Sequence, residues 1–181
     1  MGASVSFAAT AASWQTFYVL VGTAAATLVG LMFVAVTFGA NLVKVESAET
    51  ARSFIDPSFT HFVQVLFTSC LVVIPGVPPA PLGVLLLIVG GLRVLALIRI
   101  FRHMRIAHRV NNDIELSDWM SSIVLPALCH ALLVATGIGF LRDWPWAFVA
   151  LALATLAILM IGVFGAWEIM LWMVLTRARQ K

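Results

Sequence analysis

Charged side chains are scarce in this chain. Of its 181 residues, 10% are charged and 62% are hydrophobic, whereas soluble domains have about 25% charged and about 45–50% apolar residues. A soluble chain of this length would expose apolar patches well beyond the few hundred Å² that monomers tolerate. The composition therefore predicts a membrane protein.

Cysteines and catalytic motifs are also few or missing. The two cysteines, Cys70 and Cys129, both lie in apolar stretches, so a disulfide framework is not expected. The sequence has no HExxH motif, no P-loop and no Ser/His/Asp grouping in a plausible order, so we expect no enzyme, catalytic residue, metal or cofactor. The small net charge of +3 argues against nucleic acid as a partner.

Five apolar stretches reach the length of about 20 residues that a helix needs to cross a bilayer. They are about Phe17–Val43, Phe59–Val77, Leu82–Phe101, Trp119–Leu141 and Trp146–Leu175. A cleaved secretory signal peptide begins with a basic region, and residues 1–13 contain no Lys or Arg. The first stretch is therefore expected to be a permanent helix. The sequence thus predicts an all-α membrane protein, a five-helix transmembrane bundle forming one domain over residues 1–181.

Basic residues are distributed unevenly between the predicted loops. With five crossings, Arg142 is the only basic residue on one side, and the other side holds nine. The nine are Lys44, Arg52, Arg99, Arg102, Arg105, Arg109, Arg177, Arg179 and Lys181. Because basic loops stay in the cytoplasm, we expect an external N-terminus and a cytoplasmic C-terminus.

The first predicted helix has polar residues in a narrow sector when it is wound at 100° per residue. They are Thr16, Thr23, Thr27, Gly30, Thr37 and Asn41. One interpretation is helix packing, because Thr hydroxyls can bond to carbonyls of the preceding turn. The alternative is a helix that lines a pore in an oligomer, because a continuous polar face suits water better than lipid.

Two histidines lie in the predicted helices. His61, Gln64 and Thr68 follow at spacings of three and four and so share a face of the second helix. That face fits interhelical hydrogen bonding or a protonatable, water-accessible lining. His130 lies in the fourth helix and is expected to be buried and hydrogen-bonded.

Charges within and beyond the helices provide further candidates. Arg93 and Glu168 are the natural buried charge pair, either as a structural ion pair or as a charged gate, and small residues at helical spacing predict that Glu168 faces inward. If the third helix continues into the cytoplasm, four arginines form a basic face on it. Three roles are compatible with this face: fixing the membrane topology, binding anionic lipid headgroups, or shaping the electric field at the cytoplasmic mouth of a pore. Its members are Arg99, Arg102, Arg105 and Arg109.

The stretch from Trp14 to Leu31, WQTFYVLVGTAAATLVGL, resembles small bacterial membrane proteins of unknown function, some of which are labelled modulators of the FtsH protease. The resemblance covers roughly the first helix. It implies a location in the bacterial inner membrane, and it assigns no functional residue.

Three functions are compatible with these features. A homo-oligomeric channel for small ions, lined in part by the first helix, is favoured by the polar residues along the full length of that helix and by the charged residues in the cytoplasmic half. Several copies around an axis are needed because one five-helix protomer has little room for an aqueous path of its own. A non-conducting regulator or interaction subunit, for example of a membrane protease, is the alternative. A secondary transporter comes third, since inverted repeats and broken helices are hinted at only by Pro126 and Gly90-Gly91.

Overall fold

The computed structural model describes residues 2–39, 48–108 and 124–179, and every regular element within these ranges is helical. The helices are α1 (Gly2–Gly39), α2 (Ala48–Val73), α3 (Pro79–His108), α4 (Leu125–Leu141) and α5 (Ala147–Arg179). The predicted all-α class is confirmed.

Three of these helices contain a stretch that is long and apolar enough to cross a membrane. The stretches are Phe7–Phe38, Pro79–Arg99 and Ala147–Leu171. Two shorter apolar helices, Pro57–Val73 and Leu125–Leu141, each rise about 26 Å at 1.5 Å per residue, slightly less than the hydrocarbon thickness of about 30 Å. Within the described ranges three helices are thus long and apolar enough to cross a membrane, which indicates a membrane protein.

Several helix ends differ from the predicted boundaries. Helix α1 begins at Gly2 rather than Phe17, and α2 begins at Ala48 rather than Phe59. The predicted bounds mark the apolar stretches, and the helices of the structure extend beyond them. Helix α2 even runs through Pro57. Residues 40–43 and 119–123 of the predicted helices lie outside the described ranges.

The break between α2 and α3 is where the prolines predicted it, although α2 ends at Val73 rather than Val77. In the connecting turn Val77 N–H donates to the Ile74 carbonyl at 3.5 Å. Gly76 has a φ of 71°, in the left-handed region that glycine adopts without a Cβ penalty.

Packing divides the chain into two compact units, a division that leaves the single-domain prediction untested. The α3–α4 unit comprises the described residues of Met1–Trp14 and Ile74–Thr155. In it, α3 and α4 approach closely where Gly83 faces Gly137: a methyl group added at Gly83 would lie 2.7 Å from the Gly137 carbonyl oxygen. Small residues of this kind permit close helix packing in membranes.

The α1–α2 unit comprises the described residues of Gln15–Val73 and Leu156–Lys181. Its apolar core is a cluster of Met32, Phe62 and Ile169, one from each of α1, α2 and α5. Dispersion contacts among these side chains hold the three helices together. Every polar face discussed next belongs to this unit.

Candidate functional site: two polar helix faces

The threonine face of α1 (Thr16, Thr23, Thr27 and Thr37) lies on the outside of the chain. All four side chains are exposed. The opposite side of α1 is buried, with Tyr18, Val21 and Ala25 among its core residues. From Thr16 to Thr37 the helix rises about 30 Å, close to the thickness of the hydrocarbon layer. Asn41, the last predicted member, lies outside the described residues.

Three of the threonine hydroxyls bond to their own helix. They donate to the carbonyl oxygens four residues earlier, Thr23 to Val19 at 2.7 Å, Thr27 to Thr23 at 2.9 Å and Thr37 to Phe33 at 2.7 Å. A hydroxyl has one proton and two acceptor lone pairs. Because the proton is used within the helix, the threonine face presents oxygen acceptors, which attract cations and water hydrogens rather than anions.

Apolar side chains interrupt the threonine face. Leu20, Leu31 and Val34 are exposed on the same side of α1, with Leu20 69% exposed. At Gly30 the surface is open, because an added methyl group would meet no atom within 4 Å. The outer side of α1 is therefore mixed, and the continuous polar face expected from the sequence is broken by these residues.

The buried polar face of α2 has the opposite placement. His61, Gln64 and Thr68 are all buried. Their spacing predicts that they share one face of α2, and in the structure that face points inward. Ser58 and Ser69 extend the same region and are buried too. These two serines were not among the predicted residues, although Ser58 lies three residues before His61 and so continues the helical spacing.

Glycines on the neighbouring helices lie opposite the buried polar face. A methyl group built on Gly22 of α1 would lie 2.9 Å from Cβ of Ser69, and one built on Gly162 of α5 would lie 3.3 Å from Cβ of His61. Gly165 faces the Ser58 hydroxyl in the same way. This arrangement favours the helix-packing interpretation of the α2 residues, because close approach leaves their polar groups between helices.

The Ser69 hydroxyl is an exception to the usual pairing of buried polar groups. Its oxygen is buried and has no hydrogen-bond partner among the described residues. An unsatisfied buried hydroxyl costs about 1–3 kcal/mol. The close approach of Gly22 to Ser69 therefore forms despite the cost of burying the Ser69 hydroxyl.

In the α3–α4 unit, His130 is buried as predicted, and its Nδ1 lies 2.5 Å from the Pro126 carbonyl oxygen. Since a carbonyl only accepts, Nδ1 donates this hydrogen bond. Arg93 of α3 is half-buried in the same unit. Among the described residues, no group of three His, Cys, Asp or Glu side chains could hold a metal.

The remaining charged candidates have different outcomes. Glu168 is exposed on α5, so the prediction of an inward-facing, buried carboxylate is wrong, although Gly165, three residues earlier on α5, does pack against Ser58. Its pairing with Arg93 stays a prediction. Helix α3 does continue to His108 and carries Arg99, Arg102 and Arg105 at the predicted spacing, and Arg99 is exposed. Arg109 lies outside the described residues.

No protein-family model matches this chain, and neither does any curated protein or solved structure. The function therefore has to be argued from the residues and their placement.

Proposed function

We propose that this protein is a homo-oligomeric channel for small cations in the bacterial inner membrane, lined in part by the threonine face of α1. Each protomer crosses the bilayer five times, with the N-terminus outside and the C-terminus in the cytoplasm. The uneven distribution of basic residues supports this orientation. The basic residues in the C-terminal part of α3, beginning with Arg99, would then meet anionic lipid headgroups at the cytoplasmic surface.

One observation carries the proposal: Thr23, Thr27 and Thr37 point out of the chain, and their hydroxyl protons are used within α1. The buried polar face of α2 is enclosed by its own protomer and offers no such surface. When several copies surround an axis, the outward oxygens of α1 line it. Oxygen acceptors replace the hydration shell of cations in known filters, so cations rather than anions are the expected permeant ions.

Liposomes containing the purified protein test conduction directly. We expect K⁺ or Na⁺ flux and no Cl⁻ flux, with a homo-oligomer in mild detergent. Gly30→Leu places a large side chain on the threonine face where the protomer has open space, so it should abolish flux or assembly while leaving the fold intact. Gly91→Leu is the matched control, since Gly91 of α3 is also open. A monomer, or absence of flux at every pH and voltage, overturns the proposal.

A second candidate is a non-conducting interaction subunit, for example a regulator of a membrane protease. It is favoured by the apolar side chains that interrupt the threonine face, which are Leu20, Leu31 and Val34. A face that mixes hydroxyl and apolar groups can pack against a partner helix without water between them. Crosslinking from α1 would then recover one heterologous partner at fixed stoichiometry and no second copy of this chain. Gly30→Leu should abolish that crosslink.

A further inference from the structure

An aromatic pocket lies at the turn between α4 and α5. Its volume is about 290 Å³, at the lower end of ligand sites, which span about 300–1,000 Å³. The side chains that matter for its chemistry all belong to the α3–α4 unit. They are Phe7, Thr10, Phe140, Asp143, Trp144 and Phe148.

The aromatic walls hold one another in place. Phe7 meets Phe140 edge to face with ring centroids 6.0 Å apart, and Phe140 meets Phe148 edge to face at 5.0 Å. Trp144 packs over Gly139, where an added methyl group would lie 3.2 Å from the indole ring. Edge-to-face pairs of this kind fix ring orientation, so the pocket is formed before any ligand arrives.

Asp143 supplies the only charge among the residues that line the pocket. Its φ of 51° lies in the left-handed region, which L-residues other than Asn and Asp rarely occupy. The following N–H, that of Trp144, donates to the Gly139 carbonyl at 2.9 Å. This helix ending usually has glycine at the left-handed position, so a carboxylate is kept where the backbone would favour glycine.

We propose that this pocket binds an alkylammonium cation, such as a quaternary ammonium headgroup. Aromatic faces attract cations through the ring quadrupole, and cages of aromatic rings recognise quaternary ammonium groups. The carboxylate of Asp143 complements the charge. Hard metal ions do not fit, because Ca²⁺ and Mg²⁺ need about six oxygen ligands and the walls here are mainly carbon. The proposal does not depend on conduction.

Binding of labelled choline to the purified protein in dodecyl maltoside, a neutral detergent without ammonium, tests the proposal at constant ionic strength. We expect saturable binding, and the neutral isostere with carbon in place of the quaternary nitrogen should not compete. Asp143→Asn should weaken choline affinity about tenfold or more, a loss of roughly 1.4 kcal/mol, and Asn retains the left-handed backbone. Trp144→Leu should weaken it by about fivefold.

Trp146→Leu is the matched control, because Trp146 is 73% exposed and is not among the pocket-lining residues. Its affinity should equal that of the wild type. Short-chain phosphatidylcholine and phosphatidylglycerol as competitors distinguish the source of the ammonium group. If phosphatidylcholine displaces choline better than free choline does, the natural occupant is a lipid headgroup; if it does not compete, the occupant is a soluble cation.

Three results would overturn the proposal: no saturable choline binding, equal competition by the neutral isostere, or unchanged affinity in Asp143→Asn. Asp143→Gly adds an independent readout, since glycine removes the left-handed Cβ strain. That variant should unfold at a higher temperature than the wild type and bind choline no better than Asp143→Asn. A carboxylate kept for structure alone would lower the unfolding temperature when removed.

Discussion

The threonine face of α1 and the buried polar face of α2 belong to one unit, and each places polar groups on a largely apolar helix. On α1 the hydroxyls donate to their own backbone, as Thr23 does to Val19, so they can be exposed at little cost. On α2 the polar side chains are buried opposite glycines, as Ser69 is opposite Gly22. The first arrangement leaves a surface for another molecule, whereas the second joins helices within the protomer.

The largest expected difference between the two faces concerns added volume. Gly162→Ala should lower the free energy of unfolding by about 1–3 kcal/mol, because the new methyl group would lie 2.7 Å from the Phe62 ring. Gly30→Ala on α1 should leave stability unchanged or raise it by about 0.5–1 kcal/mol. Unfolding in mixed micelles measures both. Equal costs at the two glycines would contradict the assignment of inside and outside.

A smaller effect sharpens the contact between α1 and α2. Gly22→Ala should destabilise the protein, because its methyl group would lie 2.9 Å from Cβ of Ser69, and Ser69→Gly in the same chain should relieve that clash. The double-mutant cycle should give a favourable coupling of at least about 0.5 kcal/mol. Strictly additive effects would mean that these two positions do not touch.

The smallest stability effect is expected on the threonine face. Replacing Thr23, Thr27 and Thr37 together by the isosteric Val should change the free energy of unfolding by less than about 0.5 kcal/mol, because these side chains are exposed. The oligomer should persist while cation flux falls, since the lining loses its oxygen acceptors. An unfolded triple variant would assign these threonines a structural role instead.

Helical spacing was enough to identify which residues share a face, as the co-burial of His61, Gln64 and Thr68 shows. It could not tell which way a face points, because Thr23 and Gln64 have equivalent patterns and opposite environments. The inward prediction for Glu168 failed for the same reason. Orientation depends on which surfaces of neighbouring helices fit together, and that fit is set by glycines such as Gly22 and Gly162 far away in the sequence.

The aromatic pocket was beyond the reach of the same reasoning. Phe7 and Phe148 lie more than a hundred residues apart in the sequence, and their ring centroids are 5.4 Å apart in the structure. The left-handed backbone of Asp143 is not indicated by the sequence and becomes visible only in three dimensions. Local pattern predicts helices well because helical hydrogen bonds are local, and sites assembled from distant segments have no such periodicity.

Cysteine accessibility on α1 is the most direct test of the proposal that the threonine face is lined by water. In a background lacking Cys70 and Cys129, single substitutions Thr23→Cys, Thr27→Cys and Thr37→Cys are exposed in liposomes to a charged, membrane-impermeant thiol reagent. The account predicts that all three are modified and that flux is blocked, whereas Leu92→Cys, an exposed apolar position on α3, does not react. Intact flux with no modification at the three α1 positions would contradict it.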